Sequence, residues 1–289
     1  MKTRDRLGID CLSVFGLPPV QYVELAAKLG CGFITVGVPV SQNPENFPAY
    51  CFKDPRVQRE MKAALKDHGI TVKAGEGFFF MYGMNAQHFI PHLDAMAEIG
   101  AQTINMVSLN GDLERSLDGF AVLAEMSAAR GMSSSLEFVA GHVIGNVDDA
   151  VKAIRHVGRA DFKLVIDMLH LARSGGTVAD LANLQPDMIG SIQLCDGRHE
   201  TKDYVHEAMY ERMCPGAGDF ALTELLAALP RDIPVGIEVP QLRLAKAGLG
   251  ATERLELCVR AARKLLAKVD AVGAQQLLHE DRELCSRAG

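Results

Sequence analysis

"SLEFVAGHVIGNVDDAVKAIRHVGRADFKLVIDMLH", residues 135–170, decides the fold. It begins with a short apolar, β-type run and passes through a turn to Asn146, a residue type that caps helices. An amphipathic stretch follows, closes at Gly158 and gives way to a second apolar run, "FKLVID". This is one strand–helix–strand unit. Each apolar run carries a carboxylate, Glu137 in the first and Asp167 at the end of the second. A buried carboxylate costs several kcal/mol unless a cation or hydrogen-bond donors meet it. The same stretch that predicts the fold therefore asks what pairs with these acids.

Outward from this unit the pattern repeats. Further apolar runs are "RLGIDCLSVF" from Arg6, "FITVGVPV" from Phe33, "ITVKAGEGFFF" from Ile70 and "AQTINMVSL" from Ala101, with "SIQLCD" from Ser191 and "PVGIEVP" from Pro234 on the other side. Helical stretches lie between them. "PPVQYVELAAKLG" begins with Pro and ends at Gly30, and "DPRVQREMKAALKDHG" runs from Asp54–Pro55 to Gly69. "NAQHFIPHLDAMAEIG" ends at Gly100 and carries Pro91 as an interior blemish, while "ATERLELCVRAARKLLAKV" is strongly amphipathic. Eight near-continuous apolar strands alternating with helices predict a parallel sheet covered by helices, and eight closes a (β/α)8 barrel. A doubly wound open sheet is the competing fold, but no G-x-G-x-x-G follows the first strand. The expected organisation is one α/β barrel domain over residues 1–272 and a C-terminal helical extension or tail over 273–289. Residues 197–220 form an insert-sized loop after the seventh strand, of a length that usually has a function.

Composition narrows the function. The 289 residues are 48% hydrophobic, with a net charge of −6 and no basic block, which argues against nucleic acid or an anionic membrane as partner. The charged opening "MKTRDRLGID" has no apolar signal-type core, and no apolar stretch is long enough to span a bilayer, so a cytoplasmic protein is expected. Seven cysteines without a C-x-x-C pair suggest reduced, buried thiols.

In a (β/α)8 barrel the active site lies at the C-terminal strand ends. Glu137, Asp167, Gln193 and Glu238 fall there on four successive strands, separated by 30, 26 and 45 residues. Three carboxylates and an amide carbonyl suit a hard divalent ion such as Mg²⁺ or Mn²⁺. A lone acid at a strand end is usually a cap or an ion-pair partner; four together point to a metal. His170, in "DMLH", is placed to touch a substrate oxygen or to cap the next helix. Arg198, in "CDGR", is a candidate to bind substrate or to pair with Asp196. Glu76, between two glycines, Asn105 and the loop residue His142 are further substrate-binding candidates, and Phe78, Phe79 and Phe80 read as packing. His199 and His206 read as solvated. "PGAGDF", 215–220, fits a phosphate cradle or a tight turn equally well.

"SLEF", "VIDMLH", "IQLCD", "PGAGDF" and "GIEVP", in that order, resemble the xylose isomerase-like TIM-barrel superfamily of sugar phosphate isomerases and epimerases, ketose 3-epimerases, inosose dehydratases and dehydroshikimate dehydratases. The resemblance covers roughly residues 5–270. It implies that Glu137, Asp167, Gln193 and Glu238 hold one Mn²⁺ or Mg²⁺, with Co²⁺ and Zn²⁺ as further candidates. It also implies that Glu137 and Glu238 move protons as acid and base and that His170 touches the substrate. Three positions depart from the pattern: Gln193 stands where epimerases carry His, "ITVGVP" lacks the Glu common after the second strand, and Ala217 replaces the Glu of P-G-E-G. Gln at the first of these is associated with dehydroshikimate dehydratases.

The expected function is a divalent-metal-dependent isomerase or epimerase of a sugar or polyol-derived carbonyl compound. A proton is taken next to the carbonyl and the enediolate charge is stabilised by the metal. The alternatives are a metal-dependent dehydratase of a cyclic keto acid or keto sugar and a non-catalytic binding barrel. The superfamily's nuclease branch is disfavoured by acidity and by few strand-end histidines. A small-molecule substrate is the expected partner, and the resemblance implies a homo-oligomer.

Overall fold

The computed structural model describes residues 6–38 and 50–287, with side chains as far as residue 271. Eight parallel strands close into a barrel in chain order, the eighth pairing back on the first. They are β1 (Leu7–Ile9), β2 (Phe33–Gly37), β3 (Thr71–Phe80), β4 (Thr103–Ser108), β5 (Ser133–Glu137), β6 (Phe162–Asp167), β7 (Ile189–Leu194) and β8 (Val235–Ile237). The eight apolar runs each supply one strand. The surrounding helices are α1 (Pro19–Lys28), α2 (Pro55–His68), α3 (Ile90–Glu98), α4 (Leu113–Ala128), α5 (Val147–Val157), α6 (Met168–Arg173), α7 (Val178–Ala182), α8 (Tyr204–Tyr210), α9 (Leu222–Ala227), α10 (Leu242–Lys246) and α11 (Ala251–Arg287). The architecture is a (β/α)8 TIM barrel with a C-terminal helix.

Local chemistry explains the punctuation. Asp54 accepts the Arg56 N–H at 2.8 Å and Pro55 opens α2; Asn146 accepts the Asp149 N–H at 3.0 Å and starts α5. Pro91 is not a blemish inside a helix. Asn85 caps a 3₁₀ turn, Ala86–Phe89, and α3 begins only at Ile90, so Pro91 sits in the first turn, where no backbone donor is missed. The C-terminal stretch is one helix, and on α11 Leu255, Cys258, Val259, Ala262, Leu266 and Val269 are buried at helical spacing.

Strand and helix layers interlock through large side chains. Phe120 of α4 meets Phe80 of β3 edge-on at 6.0 Å and Phe162 of β6 at 6.4 Å, and all three are buried. Burial of each stabilises the fold by about 1.5–3 kcal/mol. Phe78 is likewise buried, while Phe79 is half-buried, so the triple Phe is chiefly packing.

The expectation of uniformly reduced thiols is corrected: Cys214 and Cys258 form a disulfide that ties the loop after β7 to α11. Their Cα atoms are 5.0 Å apart, within the span a disulfide needs. Cysteine spacing alone does not reveal this, because the barrel's closure brings together residues 44 apart. Among the described residues, no helix is long and apolar enough to cross a membrane.

Candidate functional site

Register aims the predicted residues at one side. Asp167 pairs with Gln193 and Gln193 with Gly236 across adjacent strands. Glu137 pairs with Val165, two residues before Asp167, and Glu238 stands two residues after Gly236. Paired neighbours and alternate residues share a face, so Glu137, Asp167, Gln193 and Glu238 all face the barrel interior near its C-terminal mouth. All four are buried.

Glu137 Oε1 lies 3.2 Å from His170 Nε2, and Glu137 Oε2 accepts from Asn105 Nδ2 at 2.7 Å. Ser135 Oγ donates in turn to Asn105 Oδ1 at 3.2 Å, which orients the amide. Asp167 Oδ1 caps α6, accepting the Leu169 N–H at 2.6 Å and the His170 N–H at 3.2 Å. Its Oδ2 lies 3.9 Å from His170 Nε2. The His170 Nδ1 nitrogen meets the Tyr204 hydroxyl of α8.

A cation is built into the site, and it is one that the motifs did not indicate. Arg212, 4% exposed, places Nη1 2.7 Å from Asp167 Oδ2 and 2.8 Å from Glu238 Oε2. Its Nε donates to Ala208 O at 2.9 Å and its backbone N–H to Pro240 O at 2.8 Å, so both ends are anchored. Burial alone would raise the Asp167 carboxyl, but Arg212 and then His170 outweigh it and hold Asp167 well below the usual carboxylate range. Glu238 is pushed up by burial, against the pull of Arg212, with Asp167, Glu137 and Asp10 adding to the rise. One guanidinium thus serves two buried carboxylates.

The opposite wall adds two more acids. Asp10, at the end of β1, is 2% exposed, and burial pushes its carboxyl up to about 7 against a stabilising bond from Thr35. Gly236 makes room for it, since a Cβ there would fall 2.3 Å from Asp10 Oδ2. Glu76 is raised well above its ordinary value by burial, then by Asp10 and Glu137, although Asn105 hydrogen-bonds it. Asn105 therefore touches acids on both walls.

The donor chemistry fits a divalent cation. Glu137, Asp167 and His170 each bring a ligand atom within 4.8 Å of the others. Gln193 Oε1 is buried without a hydrogen-bond partner, and the acids converging on the mouth outnumber the single guanidinium. An amide oxygen so placed, beside surplus carboxylate, suits a hard cation.

Other predicted residues lie elsewhere or do other work. Arg198 is largely exposed and pairs with Asp219 at 3.1 Å rather than with Asp196. His199 joins the same acid through its backbone N–H at 3.2 Å, and His206 is exposed on α8. His142 is exposed in the loop after β5, where partial desolvation of the ring, then nearby His170, lower its pKa. The "PGAGDF" segment is a turn folded around Asp196, which accepts the N–H groups of Gly216 at 2.9 Å and Phe220 at 3.1 Å. Those donors are engaged with a carboxylate of this chain, and a Cβ on Gly218 would lie 2.3 Å from Asp196.

Arg212, Tyr204 and Asp10 are the site residues that motif reading missed. Asp10 closes "LGID" as Asp167 closes "LVID", so the strand-end rule finds it once applied to the first strand. Arg212 and Tyr204 carry no such signal, because an insert places them.

A family model described as xylose isomerase-like TIM barrel matches residues 23–258. No curated protein matches the chain in sequence. Among solved structures, a xylose isomerase-like TIM barrel/4-hydroxyphenylpyruvate dioxygenase fusion protein aligns with a TM-score of 0.73 and 18% identity over 96% of this chain, which spans 44% of that longer protein. The IolI protein with a bound zinc atom aligns with a TM-score of 0.73 and 18% identity, over 91% of this chain and 97% of its own. D-psicose 3-epimerase with D-tagatose, from Clostridium cellulolyticum H10, aligns with a TM-score of 0.67 and 16% identity, over 92% and 99%. Such low identities speak for the fold alone. With the family model spanning most of the barrel, the chain belongs to the xylose isomerase-like TIM barrel family.

Proposed function

We propose that the protein is a divalent-metal-dependent isomerase or epimerase of a neutral polyhydroxy carbonyl compound. The observation that carries this is the convergence of Glu137, Asp167 and His170 within 4.8 Å at the barrel mouth, beside the unpartnered Gln193 Oε1. Glu137, Asp167, Gln193 and Glu238 would hold the cation, which when bound polarises a carbonyl as a Lewis acid.

The remaining work falls to the chain. Glu137 and Glu238, on β5 and just past β8, form the pair able to take a proton next to the carbonyl and return one on the other face. Asn105 fixes Glu137 through Oε2, leaving Oε1 facing His170 and the mouth. His170 orients the substrate oxygen. A neutral substrate is favoured because Arg212 is engaged with Asp167 and Glu238, Arg198 with Asp219, and Arg173 with Glu207 at 2.6 Å.

Incubation with ketohexoses in deuterium oxide, with and without Mn²⁺, tests the reading. Metal-dependent deuterium incorporation next to the carbonyl, with a new epimer on chromatography, is the expected result, and Glu137→Gln abolishes both. A second reading, dehydration of a cyclic keto acid or keto sugar, is favoured by Gln193. It predicts a new enone absorbance with 3-dehydroshikimate or a keto-inositol and no epimer.

A further inference from the structure

Glu238 differs from the other acids of its wall in how its backbone is held. Glu137 and Asp167 are the last residues of β5 and β6, still paired in register with a neighbouring strand. Strand β8 ends at Ile237, so Glu238 has left the strand where its carboxylate enters the mouth. On the β7 side the Leu194 carbonyl accepts the Glu238 N–H at 3.1 Å. On the other side β1 has ended at Ile9, and a side chain takes over from the strand.

That side chain is Ser13, in the 3₁₀ turn Cys11–Val14 after β1. Its Oγ donates to Ile237 O at 2.9 Å and accepts the Val239 N–H at 2.8 Å. One hydroxyl thus bridges the residues before and after Glu238. Ser13 is 0% exposed, so no bulk water replaces the hydroxyl if it is removed, and the Val239 N–H loses its partner. The turn is anchored from behind. Ser13 O accepts from Arg254 Nη1 at 3.1 Å, and that guanidinium lies over the Phe15 ring at 5.2 Å. Among the described residues Phe15 is the one non-glycine with a left-handed backbone, φ 48°, a conformation that surrounding contacts must hold. Helix α11 therefore fixes the turn, and the turn's hydroxyl fixes the chain around Glu238, whose Oε2 meets Arg212 Nη1 at 2.8 Å.

We infer that Ser13 is a positioning residue: its hydroxyl does for the chain around Glu238 what strand pairing does for Glu137 and Asp167, and sets where that carboxylate stands in the mouth. A group that fixes the backbone of a ligand or acid–base residue changes binding without touching the ion. The consequence for a cation rests on the reading above; the placement of Glu238 against Arg212 does not.

Arginine side-chain ¹H–¹⁵N spectra and amide exchange of Val239, both on the full chain in EDTA, test it, with Arg212→Lys identifying the Arg212 signal. Ser13→Ala is compared with Ser127→Ala, which removes a hydroxyl equally buried but bonded to Ser133 O at the far end of β5. In Ser13→Ala the Arg212 signal is expected to shift and the Val239 N–H to exchange about 10-fold faster, while Ser127→Ala leaves both as in the wild type. Arg254→Met keeps the hydroxyl and removes the cation behind it; it gives the same changes at smaller size and decides the matter where Ser13→Ala does not fold. In calorimetry Ser13→Ala weakens Mn²⁺ binding about 10-fold and Ser127→Ala does not. Unmoved Arg212 and Val239 signals in Ser13→Ala, equal changes in Ser127→Ala, or unmoved signals in Arg254→Met where Ser13→Ala does not fold, overturn the inference. Unchanged Mn²⁺ affinity overturns its consequence for the cation. A wild type that binds no Mn²⁺ sinks the proposed reaction and leaves the spectra to decide Ser13; unmoved spectra leave the proposed reaction standing.

Discussion

The two walls of the barrel mouth bury acids in different ways. On the β5–β8 side, Asp167 has Arg212 and a helix N-terminus, and it stays charged. On the β1–β4 side, Asp10 and Glu76 have only hydroxyl and amide partners, and burial pushes both up. Asp167 and Asp10 are buried alike, and a cation in contact with the first but not the second sends their carboxyls in opposite directions. One wall thus carries a built-in guanidinium against its acids, and the other meets its acids with a hydroxyl and an amide.

Exchanging acids for amides sharpens the contrast most. Glu137→Gln is expected to lower kcat by about 10²–10⁴ and to weaken Mn²⁺ binding in calorimetry, since it removes an acid–base group and a ligand together. Glu76→Gln replaces a carboxyl already raised by burial, and is expected to shift stability by about 0.5 kcal/mol or less. Equal losses from the two substitutions would erase the distinction between the walls.

Arg212→Met should follow in size. It leaves Asp167 and Glu238 buried without their cation, a change that costs about 3–5 kcal/mol. Urea denaturation in EDTA measures the loss, and Mn²⁺ is expected to restore part of it. Wild-type stability in EDTA would show that the guanidinium does not compensate this wall.

The tie behind Arg212 has a smaller effect. Cys214→Ser removes a disulfide that closes a loop of 44 residues, two residues from Arg212. The expected loss is about 2–4 kcal/mol under oxidising conditions, and wild type and variant should converge in reductant.

The gentlest test is pH. With Asp10 raised from 3.8 to about 7 in the folded chain, the folded state holds a proton that the unfolded state releases within that interval. Its stabilisation is complete below the unfolded value and falls as pH rises toward 7, with a slope of at most about 1.4 kcal/mol per unit. Asp10→Asn should flatten that part of the stability–pH curve. An unchanged curve would mean that Asp10 is ionised like Asp167.

Period and punctuation in the chain were enough for the barrel and for the four strand-end residues. Burial makes a parallel strand uniformly apolar, so a polar residue at its end stands out: Glu137, Asp167, Gln193 and Glu238 were all legible in this way. Asp10 obeyed the same rule. What partners these residues was decided only by tertiary structure. Arg212 lies 45 residues from Asp167, Tyr204 lies 34 from His170, and Cys214 lies 44 from Cys258. Each approaches its partner because the insert after β7 folds back over the mouth, where α8 and the bridge between Asp196 and Met213 hold it. Local sequence fixes which residues a strand offers to the interior. Which cation or hydroxyl meets them depends on chain returning from far away, and no periodicity encodes that distance.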